Sequence, residues 1–160
     1  MSTSFLGLPV SQHAVARGVT VFFGILSTSM GLRALVDPAG YAAIFGVPAL
    51  SSTMATASRN PFIKAAGASR LAGGLGTLAC VLLGQDKGAA LGLCAGAIVG
   101  IMDGLSLKAE IEATRKELGG KTHDDDDGVK SLEESEGKAW GHMMFGPIAA
   151  ALGSWLYYVS

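Results

Sequence analysis

Four stretches of this chain are apolar over the length of a bilayer crossing, and polar residues punctuate them. Residues 14–36, AVARGVTVFFGILSTSMGLRALV, are the first. About 20 apolar residues cross a hydrocarbon core, so this stretch spans with some tilt. Ser11 is placed to cap its start. Asp37-Pro38 ends it, because a residue before proline disfavours helix. Residues 62–84, 88–107 and 139–159 are the other three, with Gln85-Asp86-Lys87 as a tight hairpin between the second and third. Pro147 is expected to kink the fourth. Residues 39–60 are apolar but short, broken by Gly46 and Pro48, and read as an interfacial or re-entrant segment. Residues 108–138 turn polar and read as a solvated loop, helical at first through Glu112 and Lys116 at i, i+4. The pattern predicts one all-α domain over 1–160: a four-helix transmembrane bundle with short hairpins and one acidic cytosolic loop.

The third stretch carries glycine at every fourth position: Gly88, Gly92, Gly96, Gly100 and Gly104. In water each would cost a helix roughly 1 kcal/mol relative to alanine. In lipid the helix persists, because its amides have no other partner. A four-residue step places the glycines on one ridge where a second backbone can approach closely. The expectation is a packing spine, with Gly96 and Gly100 each against a neighbouring helix.

Composition supports a membrane setting. The chain is 49% hydrophobic and only 16% charged, with mean hydropathy +0.42, whereas a soluble domain carries about 25% charged residues. Formal net charge is -1, so no basic excess attracts nucleic acid. Residues 1–12 lack the basic n-region of a cleavable signal peptide. Positive charge sets orientation. Arg33, Arg59 and Lys64 flank the first loop, and Lys108, Arg115, Lys116, Lys121, Lys130 and Lys138 flank or lie in the third. Loops 37–61 and 108–138 are therefore expected in the cytosol, with both termini on the other side.

Three polar residues fall inside the predicted spans: Arg70, Asp103 and His142. Helix direction alternates, so all three approach from the cytosolic side at comparable depth, each beside small residues. An ionisable group at a helix centre costs roughly 2.5–3.5 kcal/mol on insertion, which favours an inward orientation with partners. In a catalytic pocket Arg70 would bind or polarise an oxygen, while Asp103 and His142 traded protons. The structural alternative is an Arg70–Asp103 ion pair that fixes register, with His142 capping a backbone carbonyl or sitting at the interface beside Trp140. Arg33 reads as snorkelling or paired with Asp37. Several other signals point away from chemistry. GLGTLA at 74–79 matches a dinucleotide pattern formally, but no strand precedes it. His123 with the acidic run 124–127 reads as a solvated face rather than a cation site. Cys80 and Cys94 sit at similar depth and read as small hydrophobes, a disulfide being the alternative. No cofactor or metal motif is present.

The segment GLRALVDPAGYAAIFGVP at 31–48, Gly67-Ala68-Ser69-Arg70 and Asp103 late in the third span resemble a fungal family of small four-helix membrane proteins, related to DoxX-like proteins. The resemblance implies work beside secondary-metabolite gene clusters, on apolar polyketide or terpenoid intermediates. It carries no catalytic residues over. A DoxX-like redox association would want a Cys-x-x-Cys, which this chain lacks. The leading expectation is an endoplasmic-reticulum membrane protein that binds an apolar small molecule at Arg70, Asp103 and His142 and isomerises or cyclises it. The alternatives are a scaffold for soluble biosynthetic enzymes, recruited through 108–138, or a small exporter that forms its path as a homo-oligomer.

Overall fold

A computed structural model of the chain describes residues 3–5, 8–49, 51–117 and 126–160. Two three-residue strands, β1 (Thr3–Phe5) and β2 (Leu8–Val10), form an antiparallel hairpin. The described elements after them are all helices: α1 (Gln12–Val36), α2 (Pro38–Phe45), α3 (Ser52–Thr56), α4 (Pro61–Leu82), α5 (Asp86–Glu117) and α6 (Asp126–Val159). The fold is all-α. Ser11 caps α1 by accepting from the Ala14 N–H. Asp37 closes α1 and opens α2. Its N–H donates to the Arg33 carbonyl, and its Oδ1 accepts from the Gly40 N–H with Pro38 in the first turn. The 39–60 segment thus folds as two short helices. Gly46, at φ 106°, ends α2. Gly84, at φ 70°, makes the turn from α4 into α5.

Two antiparallel pairs dominate the packing: α1 on α4, and α5 on α6. Small residues at seven-residue spacing form both seams. Gly24 of α1 faces Gly74 of α4, and Gly31 faces Gly67. From Ala90 onward the buried positions on α5 are Ala90, Leu93, Ala97, Gly100, Gly104, Leu107, Ile111 and Thr114. Their alternating three- and four-residue steps make an unbroken heptad seam. Facing them on α6, Gly153 lies on the Ala90 carbonyl, Gly146 on that of Ala97, and Ala139 opposite Gly104. The interior is small, while large side chains point outward: Phe62 is 81% exposed, Leu82 85% and Ile98 66%. That inversion suits a lipid surround, where close backbone approach holds helices together.

The glycine ridge of α5 does not act as one spine. Gly88 meets Cys80 and Gly92 meets Thr77, both on α4; Gly100 and Gly104 meet α6. Gly96 faces open space, against expectation. The reason is helical phase. Four residues turn about 400°, so each step drifts about 40° around the axis, and the ridge winds from one neighbour to the other. A seven-residue step drifts only about 20° and stays on one partner.

The 108–138 stretch is not predominantly a loop either. α5 continues to Glu117 and α6 begins at Asp126. Leu107 and Ile111 pack on Leu132 and Ala139, so the seam runs beyond the apolar stretch as a helical stalk. Arg115 pairs with Glu136 across it. Apart from the helical backbone of Asp126 and Asp127, the acidic run and His123 lie outside the described residues.

Among the described residues α1, α4 and α5 are long and apolar enough to cross a membrane. α6 is not among them, so a fourth span does not follow from length and hydropathy. The two ends of its apolar part, 139–159, do carry interfacial marks. Lys108 lies over the Trp140 ring at 6.0 Å, and Lys87 over the Tyr157 ring at 5.4 Å. The two lysines are separated on α5 by roughly 30 Å, the thickness of a hydrocarbon core.

Candidate functional site

The α4 seam runs through Ile63, Gly67, Gly74, Thr77 and Val81, and Arg70 occupies the heptad position between Gly67 and Gly74. A long cation therefore replaces the small residue the seam calls for. It reaches across to α5, where its Nη2 donates to Asp103 Oδ2. The pair is largely buried, with side-chain exposures of 16% and 19%. The Ser27 hydroxyl of α1 donates to the Arg70 carbonyl at 2.9 Å. The Arg70 Nε–H is buried and finds no acceptor among the described residues.

α2 forms a wall over this pair. The Arg70 guanidinium lies 5.1 Å from the Phe45 ring centroid and 5.7 Å from that of Tyr41. Those two rings stack at 5.6 Å. Burial raises the Tyr41 phenol above its usual range, against the pull of Arg70, so it stays a neutral hydroxyl. On the far side His142, in the α6 seam, stacks on Phe45 at 4.4 Å. Its Nε2 donates to the Phe45 carbonyl at 3.0 Å; a carbonyl only accepts, so Nε2 carries the proton. Lys138 donates to the Ala43 carbonyl at 3.2 Å. Two α6 side chains therefore hold the carbonyl end of α2, where the helix dipole favours cations.

Arg70 and Asp103 are thus in direct contact, and His142 joins them through Phe45. Tyr41 and Phe45 belong to the site although neither is ionisable; the signal for them in the sequence is their i, i+4 spacing in YAAIF, which puts two rings on one face. A second polar cluster, not expected from the sequence, lies at the other end of the bundle. There Asp86 accepts from His13 Nε2 at 2.6 Å, and Arg17 Nε lies 3.2 Å from its other oxygen. Arg17 also donates to the Val81 carbonyl at 2.6 Å, which ties α1 to the α4–α5 turn. Arg33 pairs with Asp37 at 3.5 Å. Cys80 and Cys94 are free thiols.

Two cavities lie near the stalk. One of about 700 Å³ is lined by Ala49, Lys130, Ser131, Glu133 and Glu134. Another of about 200 Å³ is lined by Lys108, Glu136, Ala139, Trp140 and Met143. The arrangement at the ion pair offers one cationic donor with a free N–H, a carboxylate beside it and two aromatic faces. It can hold and polarise an oxygen atom, and the carboxylate can move a proton next to it.

No curated protein and no solved structure matches the chain. The model of a family defined by a domain of unknown function, DUF4267, matches residues 24–156, which include both seams and every residue of the Arg70 site. The chain therefore belongs to the DUF4267 family.

Proposed function

We propose that this protein is a four-span integral membrane protein that holds an apolar small molecule by one oxygen atom at Arg70. One observation carries the reading. A buried donor, the Arg70 Nε–H, lacks an acceptor while the same guanidinium is anchored by Asp103 and walled by Phe45 and Tyr41. Leaving such a donor unpaired costs roughly 1–3 kcal/mol, which an incoming acceptor recovers. The lysine–aromatic pairs at the two ends of the apolar parts of α5 and α6 support the fourth span. The basic residues around α2–α3 and the stalk support a cytosolic position for both, in the endoplasmic reticulum or a comparable membrane.

Within this reading Arg70 binds, Asp103 moves a proton and His142 positions α2. An isomerase needs nothing more: Asp103 takes a proton from carbon beside a carbonyl polarised by Arg70 and returns it elsewhere on the same skeleton. Polyketide or terpenoid intermediates suit such a site. The test is mass spectrometry of organic extracts from protein purified in mild detergent. Arg70→Lys keeps the charge for Asp103 but has no Nε–H. A compound enriched with the wild type and depleted at least tenfold with Arg70→Lys is expected; identical extracts overturn the reading.

The stalk favours a second reading, a scaffold for soluble enzymes. It projects roughly 15 Å past Lys108 on α5 alone. Loss of partner recruitment on shortening the stalk, with extracts unchanged between wild type and Arg70→Lys, would favour it.

A further inference from the structure

The smaller stalk cavity, of about 200 Å³, lies where the stalk meets the apolar part of the bundle. Lys108 of α5 lines it from one side, and Glu136, Ala139, Trp140 and Met143 of α6 from the other. A water molecule occupies about 30 Å³ of liquid, so the space suits a group of several heavy atoms. Its polar lining groups have unused capacity. Lys108 is exposed and, among the described residues, makes no ion pair or hydrogen bond; its ammonium lies over the Trp140 ring at 6.0 Å. Glu136 accepts from Arg115 through Oε1 alone, and its Oε2 takes no hydrogen bond among the described residues. Both partners of that bridge are about half exposed, so it is weakly held and the carboxylate can be shared. Toward the membrane centre the lining continues as an apolar track. Trp140, Met144 and Ile148 on α6, and Leu105 and Ile101 on α5, are exposed and follow one another at helical spacing.

We propose that this cavity binds the headgroup of phosphatidylethanolamine, with the phosphate on Lys108 and the primary ammonium on Glu136. The inference rests on the four-span placement, which puts Lys108 and Trp140 at the membrane boundary, and not on the binding role of Arg70. A cation receptor and an anion receptor in one cavity match a headgroup that carries both charges. An anionic headgroup fits less well. At helical spacing around the cavity, Lys108 and Arg115 stand against three carboxylates, Glu112, Glu133 and Glu136. A choline headgroup has no N–H for Glu136 Oε2, and sites for quaternary ammonium use a cage of aromatic rings. Here one ring lines the cavity. The apolar track receives the acyl chains, which makes the ligand a lipid rather than a soluble phosphate ester.

The test uses the full-length protein in phosphatidylcholine nanodiscs, with Trp155→Phe so that Trp140 is the single tryptophan. Phosphatidylethanolamine and phosphatidylglycerol, each brominated on the acyl chains near the headgroup, are titrated in, and quenching of Trp140 reports which lipid sits beside it. Brominated phosphatidylethanolamine is expected to bind at least threefold more tightly than phosphatidylcholine, and brominated phosphatidylglycerol no more tightly than phosphatidylcholine. Equal binding of all three, or a preference for phosphatidylglycerol, overturns the assignment. Glu136→Gln removes the charge that receives the ammonium and should abolish the preference; a preference that survives it overturns the role of Glu136. Arg115→Gln breaks the same bridge but keeps the carboxylate, so the preference should persist. Its loss in both variants would tie it to the stalk's integrity and overturn the headgroup site. Brominated diacylglycerol, which has no phosphate, should bind the wild type at least threefold less tightly than phosphatidylcholine and lose that disadvantage in Lys108→Gln; no difference in the wild type overturns the role of Lys108. Absence of quenching by every brominated lipid has a different meaning: Trp140 then lies away from the membrane boundary, and the four-span placement falls with the site.

Discussion

His142 and Phe45 touch twice: Nε2 donates to the Phe45 carbonyl across 3.0 Å, and the two rings stack at 4.4 Å. Both contacts commit the imidazole to the end of α2. A proton bound at Nε2 and shared with a carbonyl is poorly placed to shuttle to Asp103. The ring that His142 supports is the same ring that lies under the Arg70 guanidinium. His142 therefore reads as a positioning residue, and in the proposed function the acid–base work is assigned to Asp103.

His142→Ala should free α2 without unfolding the bundle. A hydrogen bond of this kind contributes about 1 kcal/mol, or roughly fivefold in a local opening equilibrium. Amide exchange at Gly46 and Val47, whose N–H groups bond to Ala42, should accelerate by that factor or more. Exchange along the α5–α6 seam should not change. Unaltered exchange at the α2 terminus would show that Lys138 and packing hold it alone.

Two adjacent glycines make opposite predictions. Gly74→Leu drives a side chain into Thr28 and the Gly24 carbonyl, and overpacking of this kind costs roughly 1–3 kcal/mol. Gly73→Leu enters open space and should leave thermal unfolding in detergent unchanged. Equal stability of the two variants would mean that the α1–α4 seam is not where the structure places it.

Much of this was legible from residue order. The apolar stretches located α1, α4 and the core of α5, and the insertion cost of lone charges brought Arg70 to Asp103. The glycine ridge misled because glycines four apart look aligned in a sequence but wind around a helix. The informative period was seven: Gly24 and Gly31, Gly67 and Gly74, Gly146 and Gly153. The same period, through Leu107, Ile111, Thr114, Leu132, Ser135 and Ala139, marks the stalk as helical despite its charge. Charge density hid it, since solvent-exposed faces of a two-helix stalk are as polar as a loop. The role of α2 was not legible, because His142 and Phe45 are 97 positions apart and only the fold brings them together.

The stalk should depend on its buried residues. Ile111→Ala removes a side chain packed between α5 and α6, a change that costs roughly 2–5 kcal/mol in a well-packed site. Trypsin added to sealed microsomes should then cut after Arg115 and Lys116 much faster than in the wild type. Cleavage at equal rates would show that Ile111 does not hold the stalk. Cleavage only after the membranes are opened would place the stalk on the lumenal side.

Arg70 and Asp103 provide the sharpest test, because neither can lose its partner cheaply. Their side chains are mostly buried, and α2 covers them with two aromatic rings. Removing one partner of a buried pair typically costs roughly 3–5 kcal/mol, since the other charge is stranded. Asp103→Leu leaves Arg70 with Ser27 on its carbonyl and no anion on its guanidinium. Arg70→Leu leaves a carboxylate in an apolar seam. Each single variant should unfold well below the wild type in a detergent melt. Arg70→Leu/Asp103→Leu should recover much of the loss, because two apolar side chains fit a lipid-surrounded seam. Coupling should appear as a double-mutant interaction of at least about 2 kcal/mol. Strict additivity of the two losses would mean the charges act separately, and would remove the anchored guanidinium on which the binding role rests.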